Sequence, residues 1–193
     1  MTPKRNLVLA SRNVHKVSEL NDLLAPHALD ALPDTVMLPP EDGTTFTVNA
    51  LEKARAAAKA LGRPAIGDDS GIEAAELGGA PGVRSARFAG DNATDGENLA
   101  KLIRDVPAGS ALAYVCVLAL VDSDGAEHSF VGRCTGVMAA HPLGTNGFGY
   151  DPVFLPDDYD DSRTMAELEP AEKHAISHRG RAAAALLEYL NKN

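Results

Sequence analysis

Residues 113–121, Ala-Tyr-Val-Cys-Val-Leu-Ala-Leu-Val, most constrain the fold. An apolar, β-branched run of this length must be buried, and it reads as a strand. The apolar stretch begins at Ala111 and is still far below the ~20 residues a membrane helix needs. Asp122-Ser123-Asp124-Gly125 follows as a turn, and residues 127–133 return as the partner strand of a hairpin. A second apolar run, Leu7-Val8-Leu9-Ala10, reads as another buried strand. After the polar turn Ser11-Arg12-Asn13, Val17, Leu20, Leu23 and Leu24 recur at helical spacing.

Further helices are signalled by their ends. Residues 45–61 are Ala-rich, with Ala50, Leu51, Ala54, Ala57, Ala58 and Leu61 on one side, and Gly62 and Pro64 stop the helix. Thr94-Asp95-Gly96-Glu97 has capping-box spacing and predicts a helix to about Val106, and Thr164-Met165-Ala166-Glu167 repeats the pattern. The chain closes with a helix whose pattern is interrupted at Gly180, where a bend is expected. Residues 33–43 read as a Pro-rich loop with a short strand. Residues 64–67 read as a short strand into Asp68-Asp69, residues 78–82 as a loop, and residues 144–151 as a glycine-punctuated loop. Strands and helices mix without strict βαβ alternation, which indicates an α/β or α+β fold with a mixed sheet. The 193 residues, 45% hydrophobic, suffice for a single domain.

Charge narrows the function classes. Lys and Arg total 18 and Asp and Glu 27, a net charge of −9. Such a chain repels nucleic-acid phosphates, so no nucleic-acid partner is expected. Cys116 and Cys134 form no CxxC pair and read as small buried hydrophobes. The start, Met1-Thr2-Pro3-Lys4-Arg5-Asn6, precedes an apolar run too short for a signal peptide. A cytoplasmic protein with no membrane partner is expected.

Five segments carry chemistry. Ser11-Arg12-Asn13-Val14-His15-Lys16 joins a strand to a helix N-terminus, where free N–H groups and the dipole attract anions. Lys16 adds a full charge; ordinary capping by Ser11 or Asn13 is the plainer alternative. Asp68-Asp69-Ser70-Gly71 places two carboxylates side by side, as where a cation neutralises them or one must hold a proton. Its alternative is an acidic turn with Gly71 at positive φ. Glu41 precedes the Ala-rich helix, on which Asn49 and Lys53 share a face at i, i+4; a solvated Lys53 is the alternative. Phe148-Gly149-Tyr150-Asp151 offers an aromatic face on which a base could stack, or simply a packed turn. Lys173, His178 and Arg179 lie near the closing helix as donors to a base edge, or as solvated basic residues. His15, His27, His128 and His141 show no ligand spacing, which disfavours zinc.

The order of these motifs, extended by Phe46-Thr47-Val48-Asn49-Ala50-Leu51-Glu52-Lys53-Ala54, Leu77-Gly78-Gly79-Ala80-Pro81-Gly82-Val83, Gly147-Phe148-Gly149-Tyr150-Asp151-Pro152 and Ser177-His178-Arg179-Gly180, resembles the inosine/xanthosine triphosphate pyrophosphatase family. The resemblance covers nearly the whole chain. It implies magnesium-dependent hydrolysis of ITP, dITP and XTP to the monophosphate and pyrophosphate, which clears deaminated purines from the nucleotide pool. It also implies a homodimer of elongated, two-lobed α/β subunits with a central cleft. The family's phosphate loop maps onto Ser11, Arg12, Asn13, Val14, His15 and Lys16. The metal carboxylates map onto Glu41 and Asp69, and the proton acceptor onto Asp69. Substrate contacts map onto Ser70, Phe148, Gly149, Tyr150, Asp151, Lys173, His178 and Arg179.

In this scheme Lys16 and Lys53 hold the β- and γ-phosphates. Asp69, or Asp68 beside it, deprotonates a water attacking the α-phosphorus; the sequence does not choose between them. Two positions depart from the family's commoner pattern: His15 stands where glycine or another small or basic residue is frequent, and Gly67 where alanine is common. One rival is a Maf-type triphosphate pyrophosphatase with another base preference. A second is a nucleotide-binding sensor without catalysis.

Overall fold

The computed structural model describes residues 4–192; Met1, Thr2 and Pro3 of the polar start lie outside them. Leu7, Val8 and Leu9 form the buried part of strand β1 (Asn6–Leu9). Helix α1 (Val14–Leu23) follows, capped by Asn13, whose side chain accepts from the N–H groups of His15 and Lys16. Strand β2 (Ala28–Ala31) comes next and pairs in parallel with β1. The short strand thus precedes the Pro-rich segment expected to hold it; residues 33–43 carry none. The local reason is composition: Pro33, Pro39 and Pro40 lack the N–H that a ladder needs.

Helix α2 (Phe46–Leu61) has the expected ends, with Thr45 accepting from Val48 N–H and Gly62 in the left-handed conformation at φ 61°. Strand β3 (Ala65–Ala74) is longer than expected and runs straight through Asp68-Asp69-Ser70-Gly71. The acidic-turn alternative is therefore wrong. Gly71 does not have positive φ; a Cβ there would meet Ser85 Oγ at 2.4 Å, so close packing is what demands glycine. Parallel pairing with β1, Val8 opposite Ala65 and Leu9 opposite Ile66, anchors its first residues, and its interior place in the sheet carries Asp and Gly in spite of their weak β-propensity.

Helix α3 (Asp95–Asp105) carries both halves of the Thr94–Glu97 capping box. Strands β4 (Ala111–Val121) and β5 (Glu127–Met138) flank the expected turn, with β5 five residues longer than the sequence indicated. Strand β6 (Phe154–Pro156) pairs antiparallel with β5. The Thr164–Glu167 capping box is formed, but it opens a single 3-10 turn. Helix α4 (Pro170–Ile176) and helix α5 (His178–Lys192) are separated by Ser177, whose extended backbone makes the break; Gly180, the expected place of the bend, lies inside α5. Pro170 at the first turn of α4 is in its tolerated position.

The sheet has six strands in the order β2-β1-β3-β4-β5-β6, and it is mixed. The chain divides into two compact units, Met1–Asp69 with Cys116–Gly132 and Arg179–Asn193, and Ser70–Val115 with Arg133–His178. In the first, Leu7, Leu9, Leu20, Leu24, Ile66, Leu118, Leu120 and Leu186 form a core. In the second, Ile72, Leu102, Tyr114, Tyr150, Phe154, Met165 and Leu168 do so. No helix among the described residues is long and apolar enough to cross a membrane.

Candidate active site

In the first unit the two aspartates of β3 sit in different environments. Asp68 is wholly buried. Its Oδ1 is ion-paired with Lys16, and Arg179 Nε lies 3.5 Å from its Oδ2. Cys116 Sγ donates to Oδ2 at 3.3 Å, so this buried thiol is more than filler. Burial alone would raise the Asp68 pKa; the Lys16 and Arg179 charges outweigh it and hold the carboxyl well below the usual aspartate range.

Asp69 is also buried, but burial wins there and its pKa is raised. Lys53 and the hydrogen bond from Asn49 pull it down, and Glu41 pushes it further up. Asn49 Nδ2 donates to Asp69 Oδ2 at 2.9 Å, while its Oδ1 accepts from Gly43 N–H at 2.8 Å.

Lys53 is buried, contrary to the solvated alternative. Its Nζ lies 2.5 Å from Glu41 Oε1, donates at 2.5 Å to the Asp68 backbone carbonyl, and stands 3.9 Å from Asp69 Oδ1. The i, i+4 spacing of Asn49 and Lys53 on α2 puts both against the β3 aspartates. Glu41 and Asp69 thus converge on one ammonium. Among the described residues no three His, Cys, Asp or Glu side chains gather into a metal-holding group. Magnesium commonly takes one or two carboxylates and completes its shell with water and substrate phosphate. The pair Glu41 and Asp69 fits that donor set.

The loop at residues 11–16 is partly self-satisfied. Asn13 Oδ1 occupies the His15 and Lys16 N–H groups, and Ser11 Oγ accepts from Asn13 N–H at 3.2 Å. The capping alternative is therefore real. It does not exclude anion binding, since Lys16 still aims into the carboxylate cluster. The Arg12 guanidinium donates to the Val36 carbonyl at 2.7 Å and so ties this loop to the Pro-rich segment. Val14 and His15 are exposed. Arg179, in the first turn of α5, is 3% exposed and reaches Glu19 Oε2 at 2.5 Å as well as Asp68. Its guanidinium pKa is raised, because Asp68, Cys116 and Glu19 outweigh the cost of burial.

The pH dependence of stability follows from Asp68. A depressed folded pKa means that Asp68 stabilises the fold above its unfolded value, near 3.8, and that this contribution is lost as pH falls below it. Asp69 acts in the opposite sense, its contribution fading as pH rises through its raised value. Urea denaturation of the metal-free chain should therefore show wild type losing stability from pH 5 to pH 3 faster than Asp68→Asn. A constant gap between the two across that window would contradict the assignment.

In the second unit a further cluster surrounds Asp151, which is 3% exposed. Lys173 Nζ reaches Asp151 Oδ2 at 2.7 Å, Phe148 N–H donates to the same oxygen at 2.9 Å, and Tyr114 Oη donates to Oδ1 at 3.1 Å. Lys173 Nζ also lies 5.1 Å from the Phe148 ring centroid, a cation–π contact. Gly147 is at φ 74°, and a Cβ there would meet Asp151 Oδ2 at 2.1 Å. Gly149 is also left-handed, at φ 64°. Tyr150 is buried and donates to the Ser85 carbonyl at 2.6 Å, so its hydroxyl supports the loop. Ser70 is half-buried on β3. His178 is buried and stacked on Tyr114, not solvated.

The structure thus gathers Lys16, Glu41, Lys53, Asp68, Asp69 and Arg179 in the first unit, and Phe148, Asp151, Lys173 and His178 in the second. Glu19, Ser85 and Tyr114 carry no signal in the sequence, and Cys116 reads there only as a small buried hydrophobe. None has a local motif; each reaches its partner across the fold.

Together these features define an α/β protein with a buried carboxylate–lysine cluster suited to a metal-bound phosphate. Comparison with known proteins sharpens the class. Residues 7–189 match the model of the Ham1 family. A dITP/XTP pyrophosphatase of Mycobacterium tuberculosis is 48% identical over 195 residues, covering 95% of this chain and 94% of its own. A dITP/XTP pyrophosphatase of Coxiella burnetii is 43% identical over 185 residues, covering 91% and 92%. The solved structure of a HAM1 protein from Coxiella burnetii superposes with a TM-score of 0.87 at 41% identity, covering 98% of this chain and all of that one. The chain belongs to the Ham1 family.

Proposed function

We propose that this chain hydrolyses non-standard purine nucleoside triphosphates, dITP, ITP and XTP, to the monophosphate and pyrophosphate, with magnesium as cofactor. The observation that carries the chemistry is the different setting of two adjacent carboxylates: Asp68 is ion-paired with Lys16 and Arg179, which hold it anionic, whereas Asp69 is bonded by Asn49 and raised by burial. Such divergence separates an acid–base group from an electrostatic one. The substrate class is supported by the activity for which its Ham1-family relatives are named.

Glu41 and Asp69 would hold the metal. When bound, magnesium supplies charge neutralisation on the phosphates. Lys16 and Lys53 bind the β- and γ-phosphate oxygens, and Asp69 takes the proton of the water that attacks the α-phosphorus. Asn49 fixes the Asp69 rotamer by bonding Oδ2. Asp68 is unsuited to the base role because its charge is consumed by two cations. Its task is to hold Lys16 and Arg179 in place. One phosphoanhydride bond breaks, pyrophosphate departs, and water's oxygen stays on the nucleoside monophosphate.

Phe148 to Asp151, Lys173, His178 and Arg179 would read the base. Donation by Arg179 or His178 to position 6 favours a 6-oxo purine, whereas adenine would present a second donor there. The whole chain acts as one two-lobed pyrophosphatase domain, as a cytoplasmic homodimer, on this reading. Sedimentation at micromolar concentration decides the dimer, since the chain alone is 20.2 kDa.

Incubation of the purified chain with ITP, XTP, ATP, dTTP and UTP tests the function. Pyrophosphate should be released from ITP and XTP in the presence of magnesium, and chelation should stop it. Preference for a pyrimidine, or release of orthophosphate from the γ-position, would sink the reading.

A further inference from the structure

Tyr114 was singled out by no motif, yet it holds two of the residues proposed to read the base. It lies on β4, is 7% exposed, and packs at 4.7 Å between ring centroids against Phe154. Its ring also stacks on His178, with centroids 4.7 Å apart and planes 9° from parallel. Its hydroxyl donates to Asp151 Oδ1. A buried tyrosine hydroxyl needs a partner, and this one has found a carboxylate.

The division of labour around Asp151 is uneven. Lys173 and Phe148 N–H both use Oδ2. The terminal torsion of an aspartate is broad and soft, so contacts to one oxygen alone leave the carboxylate free to turn. Tyr114 holds the other oxygen and fixes that rotation. Any turn of the carboxylate would carry Lys173 and the Phe148 backbone with it. The same reasoning applies to His178, whose ring torsion is equally soft and whose plane is set by a near-parallel neighbour. Burial and the Asp151 charge raise the Tyr114 pKa well above the usual value, so the hydroxyl remains a donor at working pH.

We infer that Tyr114 is a positioning residue for base recognition, fixing the rotamer of Asp151 and the ring plane of His178 without touching substrate itself. The inference rests on the proposed role of Phe148 to Asp151, Lys173 and His178. It assigns base discrimination partly to a core residue whose ring and hydroxyl act separately.

The two actions can be separated by Tyr114→Phe, which keeps the stack and removes the hydroxyl, and Tyr114→Leu, which removes both. Steady-state kcat and KM for ITP, XTP and GTP are measured for the full chain with magnesium, together with inhibition by pyrophosphate. In Tyr114→Phe the KM for ITP and XTP should rise on the order of tenfold, as loss of a buried hydrogen bond to a charged group implies. Its kcat should stay within about threefold, since the lost contact serves binding more than the chemical step. Preference for ITP over GTP should shrink, and inhibition by pyrophosphate should be unchanged. Tyr114→Leu should extend each effect; if it fails to fold, the phenylalanine variant alone decides.

Wild-type KM and wild-type ITP preference in Tyr114→Phe would overturn the inference and leave the proposed function standing. A uniform fall in kcat on all substrates with KM and pyrophosphate inhibition unchanged would also overturn it, since that pattern belongs to the reacting end. A wild-type chain that cleaves no ITP would overturn both.

Discussion

Asp69→Asn should release no more than about a thousandth of the wild-type pyrophosphate from ITP or XTP, within the ~10²–10⁴-fold span of removing a general base. The substitution is nearly isosteric, and the new amide oxygen can still accept from Asn49, whose Nδ2 now donates to Asp69 Oδ2. The fold should therefore survive, with a melting temperature close to wild type. Loss of one metal carboxylate acts in the same direction. Asp68→Asn should behave differently. It leaves Lys16 and the 3%-exposed Arg179 without their shared counter-charge. Removing one partner of a buried ion pair costs about 3–5 kcal/mol, so this variant should lose stability first and activity as a consequence. Activity of Asp69→Asn within tenfold of wild type would exclude Asp69 as proton acceptor. A deeper loss in a fully stable Asp68→Asn would reverse the assignment.

That contrast was invisible in the sequence, and the reason is physical. Asp68 and Asp69 are neighbours in the chain, so β alternation points them to opposite sides of the strand. One then meets Lys16, Cys116 and Arg179, the other Asn49, Lys53 and Glu41. Lys16 and Arg179 are separated from Asp68 by 52 and 111 residues (68 − 16 and 179 − 68). No local pattern reports contacts of that reach. The sequence ends the strand too early because Asp, Ser and Gly are turn formers; the strand's place between β1 and β4 and the close approach of Gly71 to Ser85 show why they are tolerated.

The parts that were legible have local causes. Thr45 and Gly62 bound α2 by capping chemistry, and Asn49 and Lys53 face one way because of helical periodicity. The Thr94 and Thr164 boxes formed as spaced, although the second closed as one 3-10 turn. Strand β2 was missed because four residues give too short a pattern to detect. Tyr114 was hidden for another reason: in a run of apolar residues, one buried tyrosine looks like core.

The close approach of α2 to β3 carries the other large expectation. Gly67 precedes the aspartate pair, and a Cβ there would lie 1.9 Å from the Ala50 carbonyl oxygen and 2.9 Å from Ala54 N. Both are backbone atoms in the middle of α2, so a rotamer change cannot relieve the overlap. Gly67→Ala must push the helix off the strand, and overpacking of that kind costs roughly 1–3 kcal/mol. At about 2–4 °C per kcal/mol for a chain of this size, the melting temperature should fall by roughly 2–12 °C. The same displacement should draw Lys53 Nζ away from the Asp68 carbonyl and Asn49 away from Asp69, contacts made at 2.5 and 2.9 Å. Activity should then drop by more than the lost stability explains when measured well below the melting temperature. A variant with unchanged melting temperature and activity would show that α2 can move outward without cost.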